Sequence, residues 1–133
     1  MEKILHKELC YKIYGLCFEV HRELNRFCRE KQFADRFEMK LRDSKIEYVR
    51  EFNISVLNPN APKGNIVDFY IDNKIFFDAK AKRFITKEDY YQMQRYLRAA
   101  NLELGLIVNF RSTYLKPKRV LNTVLYNQKE KFK

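Results

Sequence analysis

A chain of 133 residues that is 46% hydrophobic is long enough to bury a core and too apolar to be disordered throughout. Its 27 Lys and Arg against 17 Asp and Glu give a formal net charge of +10, a surplus that favours a polyanionic partner, nucleic acid first and an acidic membrane surface second. No apolar run reaches the ~18 residues of a spanning helix, and the start MEKILHKELC lacks the apolar stretch of a secretory signal, so a cytoplasmic chain is expected.

In chain order, 6–24 reads as an amphipathic helix, with Leu9, Ile13, Leu16, Cys17, Val20 and Leu24 at helical spacing. His6, Cys10, Cys17 and His21 share that face, but their separation along the axis keeps one ion from collecting all four. The stripe therefore reads as core. Three cysteines without a CxxC spacing argue against a disulfide framework or a zinc ribbon. A second helix is expected over 30–45, with Phe33, Phe37 and Leu41 on one stripe and Glu30 at the N-terminal end, where the helix dipole favours a carboxylate.

The period then changes. Ile46, Tyr48, Phe52, Ile54 and Val56 suggest a strand over 48–57, and the turn formers of 58–64 make a loop. Residues 65–71 and 74–79 read as the strands of a hairpin, with Asp72-Asn73 as its turn. Thr86 resembles a helix N-cap with Asp89 three residues on, opening a helix to about Ala100. Residues 104–110, LGLIVNF, are almost continuously apolar, as in a strand buried on both faces. The segment 116–126 adds a last strand or helix, and Val120, Leu121, Val124 and Leu125 fit a helix better; the tail NQKEKFK is expected to fray. The order is α-α-β-β-β-α-β plus a C-terminal element, an α/β (α+β) chain with a mixed sheet flanked by helices. Without internal repeats or a dividing linker, residues 1–133 are expected to form a single domain.

The hairpin carries the chemistry. Asp68 is an acid inside an aliphatic-aromatic strand, and Asp78-Ala79-Lys80 ends the next one, with Asp78 and Lys80 leaving the same face. Two carboxylates converging at paired strands make a hard oxygen site suited to Mg²⁺ or Mn²⁺. A lysine two residues from one of them can orient water or balance charge on a phosphate. On the following helix, Gln92 and Tyr96 are four apart and face the same side, where they can hydrogen-bond a water, a phosphate or a catalytic side chain. Lys82, Arg83, Asn109, Arg111, Lys116, Lys118 and Arg119 form a basic set around the ends of these elements that could hold a phosphate backbone.

Taken together these pieces resemble the PD-(D/E)xK nuclease superfamily, with its restriction-endonuclease-like α-β-β-β-α-β core. Asp68 matches the first-motif aspartate, Asp78 with Lys80 the (D/E)xK, and Gln92 with Tyr96 the QxxxY motif of the RecB-like branch. The chain is more similar still to the small GxxExxY proteins of that superfamily. It has Val20-His21-Arg22-Glu23-Leu24, then Phe27-Cys28-Arg29-Glu30-Lys31-Gln32-Phe33, Gln92 to Leu97, and Gly105-Leu106-Ile107-Val108-Asn109-Phe110, in the order of those proteins. Phe27 replaces the glycine and Phe33 the tyrosine of the naming motif, while Glu30 remains; Asp78 stands where Glu is more usual.

The resemblance implies a metal-dependent nuclease acting on nucleic acid, DNA before RNA. It implies Asp68 and Asp78 as ligands of Mg²⁺ or Mn²⁺, with Glu30 assisting and the Ala79 carbonyl completing the shell. Lys80 would orient the attacking water or stabilise the phosphorane, Gln92 would position Lys80 or a phosphate, and Tyr96 would support Gln92. A homodimer stays open, since dimers are common among nucleases that cut both strands. The alternative is a catalytically inactive nuclease-fold protein that binds nucleic acid, or a partner nuclease, or serves as a structural or toxin-antitoxin-type accessory protein.

Overall fold

The computed structural model describes residues 5–125 and 127. Two helices come first, α1 (Lys7–Glu23) and α2 (Glu30–Asp43). Strand β1 (Tyr48–Asn53) follows and runs into a 3₁₀ turn at Ile54–Val56. Then come β2 (Ile66–Ile71), β3 (Ile75–Lys80), helix α3 (Lys87–Ala100), β4 (Leu104–Asn109) and β5 (Lys118–Leu121). The strands form one sheet in the order β1-β2-β3-β4-β5. All neighbours are antiparallel except β3 and β4, which the α3 crossover makes parallel.

Helices cover both faces of the sheet. On one, Cys10, Ile13, Cys17 and Val20 of α1 and Phe33, Phe37 and Leu41 of α2 pack on Phe69, Phe77, Ala79, Leu106 and Val108. On the other, Met93, Tyr96 and Leu97 of α3 pack on Phe52, Tyr70, Phe76, Ile107 and Val120. Strand β4 is buried at every position, as its unbroken apolar sequence requires. The aromatic core lies against the strands that carry the acids: Phe37 stacks on Phe77 at 4.3 Å, and Phe69 meets Phe77 edge-on at 5.8 Å. Each fully buried ring adds roughly 1.5–3 kcal/mol, so Asp68 and Asp78 are mounted on strands anchored by a packed aromatic core.

Local chemistry sets the element ends. Asp72 and Asn73 both take left-handed φ, 52° and 53°, as a primed hairpin turn requires. Lys74 N–H closes the turn on Ile71 O, and pairing resumes at Ile71–Ile75. Thr86 caps α3 reciprocally: its Oγ1 accepts from Asp89 N–H, while Asp89 Oδ2 accepts from Thr86 N–H at 2.8 Å.

Two expectations are corrected. The strand expected over 48–57 stops at Asn53, because the Asn53 side chain accepts the Ser55 N–H and turns the chain into the 3₁₀ segment. The helix favoured for 116–126 gives way to β5, which pairs with β4 from Leu104–Leu121 to Ile107–Lys118 and covers its edge; only from 123 is the chain helical. Tyr126 and all but the first residue of the tail NQKEKFK lie outside the described residues.

Candidate active site

The β2–β3 ladder ends at Phe69–Phe77, one pair short of Asp68 opposite Asp78. On the other side of β2, the β1 ladder skips Asp68 opposite Glu51, where Glu51 takes a left-handed φ of 51°. Here the two strands exchange faces. Tyr48 and Phe69 pack under α1 and α2, whereas Phe52 and Val67 pack under α3. The strands fork at the two aspartates, and the carboxylates fill the gap. Asp68 Oδ2 accepts from Ala79 N–H at 2.8 Å, and Asp78 Oδ1 accepts from Asp68 N–H at 3.1 Å. Each acid thus satisfies a main-chain donor that the fork would otherwise orphan. Asp68 Oδ1 and Asp78 Oδ2 lie outside these two bonds and remain for other partners.

The electrostatics follow from this placement. Asp78 is 4% exposed, and burial, then the charge of Asp68, push its carboxyl up to about 7. Burial also raises Asp68, against the Ala79 N–H bond and the charges of Lys80 and Arg50. Glu30, an exposed residue at the first turn of α2, has its carboxyl raised by partial desolvation and then by Asp68, with Lys80 and Lys82 opposing. Tyr96 is pushed up by burial and then by the charge of Asp78. Glu30, Asp68, Asp78, Lys80 and Tyr96 therefore share one electrostatic neighbourhood, although they come from α2, β2, β3 and α3. Gln92 is half-buried on α3, one turn beyond Asp89, and among the described residues no hydrogen bond joins it to Lys80 or Tyr96.

Asp89 went unrecognised in the sequence as a member of this group. Its carboxylate is 2.6 Å from Lys82 Nζ and 3.9 Å from Lys80 Nζ. Burial raises Asp89, but Lys82 and Thr86 outweigh it and hold the carboxyl below its usual range. The acid that caps α3 therefore also fixes the lysine side of the site. Its position three residues after Thr86 is fully explained by capping, so the sequence carries no separate sign of the second contact. Arg50 was likewise unforeseen. It bonds Asp35 at 2.5 Å and Glu38 at 2.9 Å and lies 5.6 Å over the Phe69 ring, tying α2 to β1 behind Asp68.

The basic set divides. Asn109 is 6% exposed, and its amide holds Lys82, accepting from Lys82 N–H at 3.1 Å and donating to Lys82 O at 2.7 Å. Lys82, Arg83 and Arg111 stay at the end of the sheet that carries Lys80. Lys118 and Arg119 sit within β5, Lys118 5.4 Å from the Tyr90 ring and Arg119 bonded to Leu5 O at 3.2 Å. Lys116 is exposed in the preceding loop.

As a donor set for a divalent cation, three carboxylates and a main-chain carbonyl are chemically matched to Mg²⁺ or Mn²⁺. Among the described residues no three His, Cys, Asp or Glu side chains are already drawn in as a ligand group. The two aspartates are fixed by main-chain bonds, so Glu30, exposed at a helix end, is the member free to move inward. The residues present thus fit the cation by the chemistry of their donor atoms.

The element order, the mixed five-stranded sheet and the forked acidic strands define a restriction-endonuclease-like core. The chain belongs to the PD-(D/E)XK nuclease superfamily, whose family model matches residues 7–121, from α1 to the end of β5. Comparison with curated proteins and with solved structures gave no match. Membership in a nuclease superfamily implies a nucleic-acid partner, and among the described residues no helix is long and apolar enough to cross a membrane.

Proposed function

We propose that this protein is a divalent-metal-dependent nuclease hydrolysing phosphodiester bonds of nucleic acid, DNA before RNA, and that it falls in the GxxExxY branch of its superfamily. The observation that supports the reading is the Asp68–Asp78 pair bonded across the strand fork, with Lys80 two residues on and the Glu30 carboxyl raised in part by the charge of Asp68. The branch assignment rests on the ordered motifs from Val20-His21 to Asn109-Phe110, and Phe33 has a clear place in it. It stacks on Phe110 at 4.9 Å, joining the start of α2 to the end of β4.

Asp68, Asp78, Glu30 and the Ala79 carbonyl would hold Mg²⁺ or Mn²⁺; such a cation lowers the pKa of water and offsets charge on the phosphate. Lys80 supplies a fixed ammonium beside the carboxylates. It orients the attacking water and stabilises negative charge growing on the phosphoryl oxygens. Asp89 restrains Lys80 and Lys82 without touching the carboxylate pair. Gln92 faces the same side of α3 as Asp89 and Tyr96 and contributes an amide to Lys80 or to a phosphate oxygen. Tyr96 closes the buried side of Asp78.

Cleavage of single-stranded DNA, duplex DNA and RNA, with Mg²⁺, Mn²⁺ or EDTA, tests the proposal. The wild type should cut at least one substrate only with the divalent ion, and Lys80→Ala should lose at least ~100-fold in rate while remaining folded and bound, as expected when one preorganised charge is removed. Equal cleavage by wild type and variant would refute the role of Lys80. No cleavage of any substrate by the wild type would favour the binding-module alternative.

A further inference from the structure

Three loops meet at the end of the sheet that carries the candidate site. The α1–α2 loop precedes Glu30, the β3–α3 loop follows Lys80, and the β4–β5 loop follows Asn109. They are tied to one another. Asn109 holds Lys82 on both sides of its peptide, and Phe110 N–H donates to Lys80 O. Arg26 donates to Arg111 O and to Thr113 Oγ1, and His21 Nε2 lies 2.8 Å from Ser112 O.

Each loop exposes one large aromatic ring. Phe27 is 61% exposed, Phe84 69% and Tyr114 79%. None belongs to either core cluster. Cations accompany two of them: Arg26 and Arg111 each lie 4.7 Å from the Phe27 centroid, and Arg83 lies 5.8 Å from Phe84. Phe27 occupies the position where the resembled motif has glycine, so a ring stands where that pattern has no side chain. Exposed apolar rings on a soluble surface are costly to leave in water when grouped, and their grouping around a site marks a contact surface.

Resting on the nuclease reading, we infer that Phe27, Phe84 and Tyr114 form a stacking rim for unpaired bases, so that the occupant of this site is a single-stranded polynucleotide. The chemistry separates the two nucleic-acid forms. A duplex buries its base faces and presents phosphates, for which lysines and arginines suffice. An unpaired strand presents base faces, and it is bound by aromatic rings with interspersed cations along its backbone. The rim has both, with Arg26, Arg83 and Arg111 placed among the rings to meet phosphates. Stacking on rings is tolerant of sequence, so the rim would select strandedness rather than a base order.

The test is fluorescence-anisotropy binding in EDTA, with Lys80→Ala as the parent protein so that nothing is cut. The probes are a thymidine 12-mer, a uridine 12-mer and a 12-base-pair DNA duplex. The parent should bind at least one single strand tenfold or more tighter than the duplex, the two 12-mers separating DNA from RNA. Adding Phe27→Ala or Phe84→Ala should weaken single-strand binding by roughly five- to a hundredfold, as expected for loss of one stacked base, with the salt slope and melting temperature unchanged. Phe27→Tyr should bind as the parent does. Duplex binding as tight as single-strand binding, or alanine variants indistinguishable from the parent, would overturn the inference. Loss of strand binding in these variants would uphold the rim even if the wild type cleaved nothing, so its failure and that of the nuclease reading are separable.

Discussion

Asp78 is the residue on which charge and structure conflict most directly. Its carboxyl sits at about 7 against an ordinary value near 3.8 because burial and Asp68 oppose its ionisation. A group raised in the folded state stabilises fully below its unfolded value and loses that contribution as pH climbs through its folded value. Metal-free protein should therefore weaken between about pH 4 and 7, by on the order of 1.4 kcal/mol for each pH unit crossed. Asp78→Asn keeps an Oδ1 acceptor for Asp68 N–H and removes the charge. In EDTA it should exceed the wild type in stability at pH 8 and converge with it near pH 4, measured by urea unfolding. Parallel profiles for the two proteins would show that Asp78 does not carry the buried charge. On the proposed reading, the same burden would favour cation binding, since crowded, partly dry carboxylates gain from a neutralising charge.

At the scale of elements, α3 is held against the sheet through Gly105. A Cβ built there would lie 2.5 Å from Met93 Sδ and 2.8 Å from Met93 Cγ, and Met93 is completely buried. Gly105→Ala should then cost about 1–3 kcal/mol by overpacking, visible as a lower urea midpoint; an unchanged midpoint would mean that Met93 can swing clear. The elements themselves were largely legible in the sequence. The 3.6-residue stripes of 6–24 and 30–45 lie within two residues of the observed helix ends, and Asp72-Asn73 and Thr86 with Asp89 mark the turn and the cap they form. What escaped were effects of tertiary pairing. Val120 and Leu121 belong to β5 because β4 offers an open edge, which local spacing cannot express. The exchange of faces at Glu51 and Asp68 interrupts strict alternation, and it coincides with the left-handed φ of Glu51 and the fork of β2 from β3. Asp89 is bonded to Lys82 across a loop whose path is set by Asn109.

Over the whole molecule, the fold uses a nearly standard arrangement, helices on both faces of a mixed sheet, to bring four distant segments to one end. Glu30 and Asp68 are 38 positions apart in sequence, yet the charge of Asp68 raises the Glu30 carboxyl. The site residues could be proposed from motif order because each motif sits at a fixed end of an element. The proposed aromatic rim could not, because Phe27, Phe84 and Tyr114 lie on loops without periodicity, and those loops are tied together by long-range contacts of Asn109, Arg26 and His21. With a net charge of +10 on the chain, the proposed nuclease reading would have a phosphate chain drawn toward carboxylates it otherwise avoids, and would require a divalent cation to reconcile them.

That requirement is most directly tested by calorimetric titration of Mn²⁺ into the protein without nucleic acid at pH 8. The wild type should bind the ion, and Asp68→Asn, which retains an acceptor for Ala79 N–H, should stay folded by circular dichroism and lose the binding heat. Identical isotherms for the wild type and Asp68→Asn would contradict the account, because the carboxylates at the fork would then not be what holds the cation.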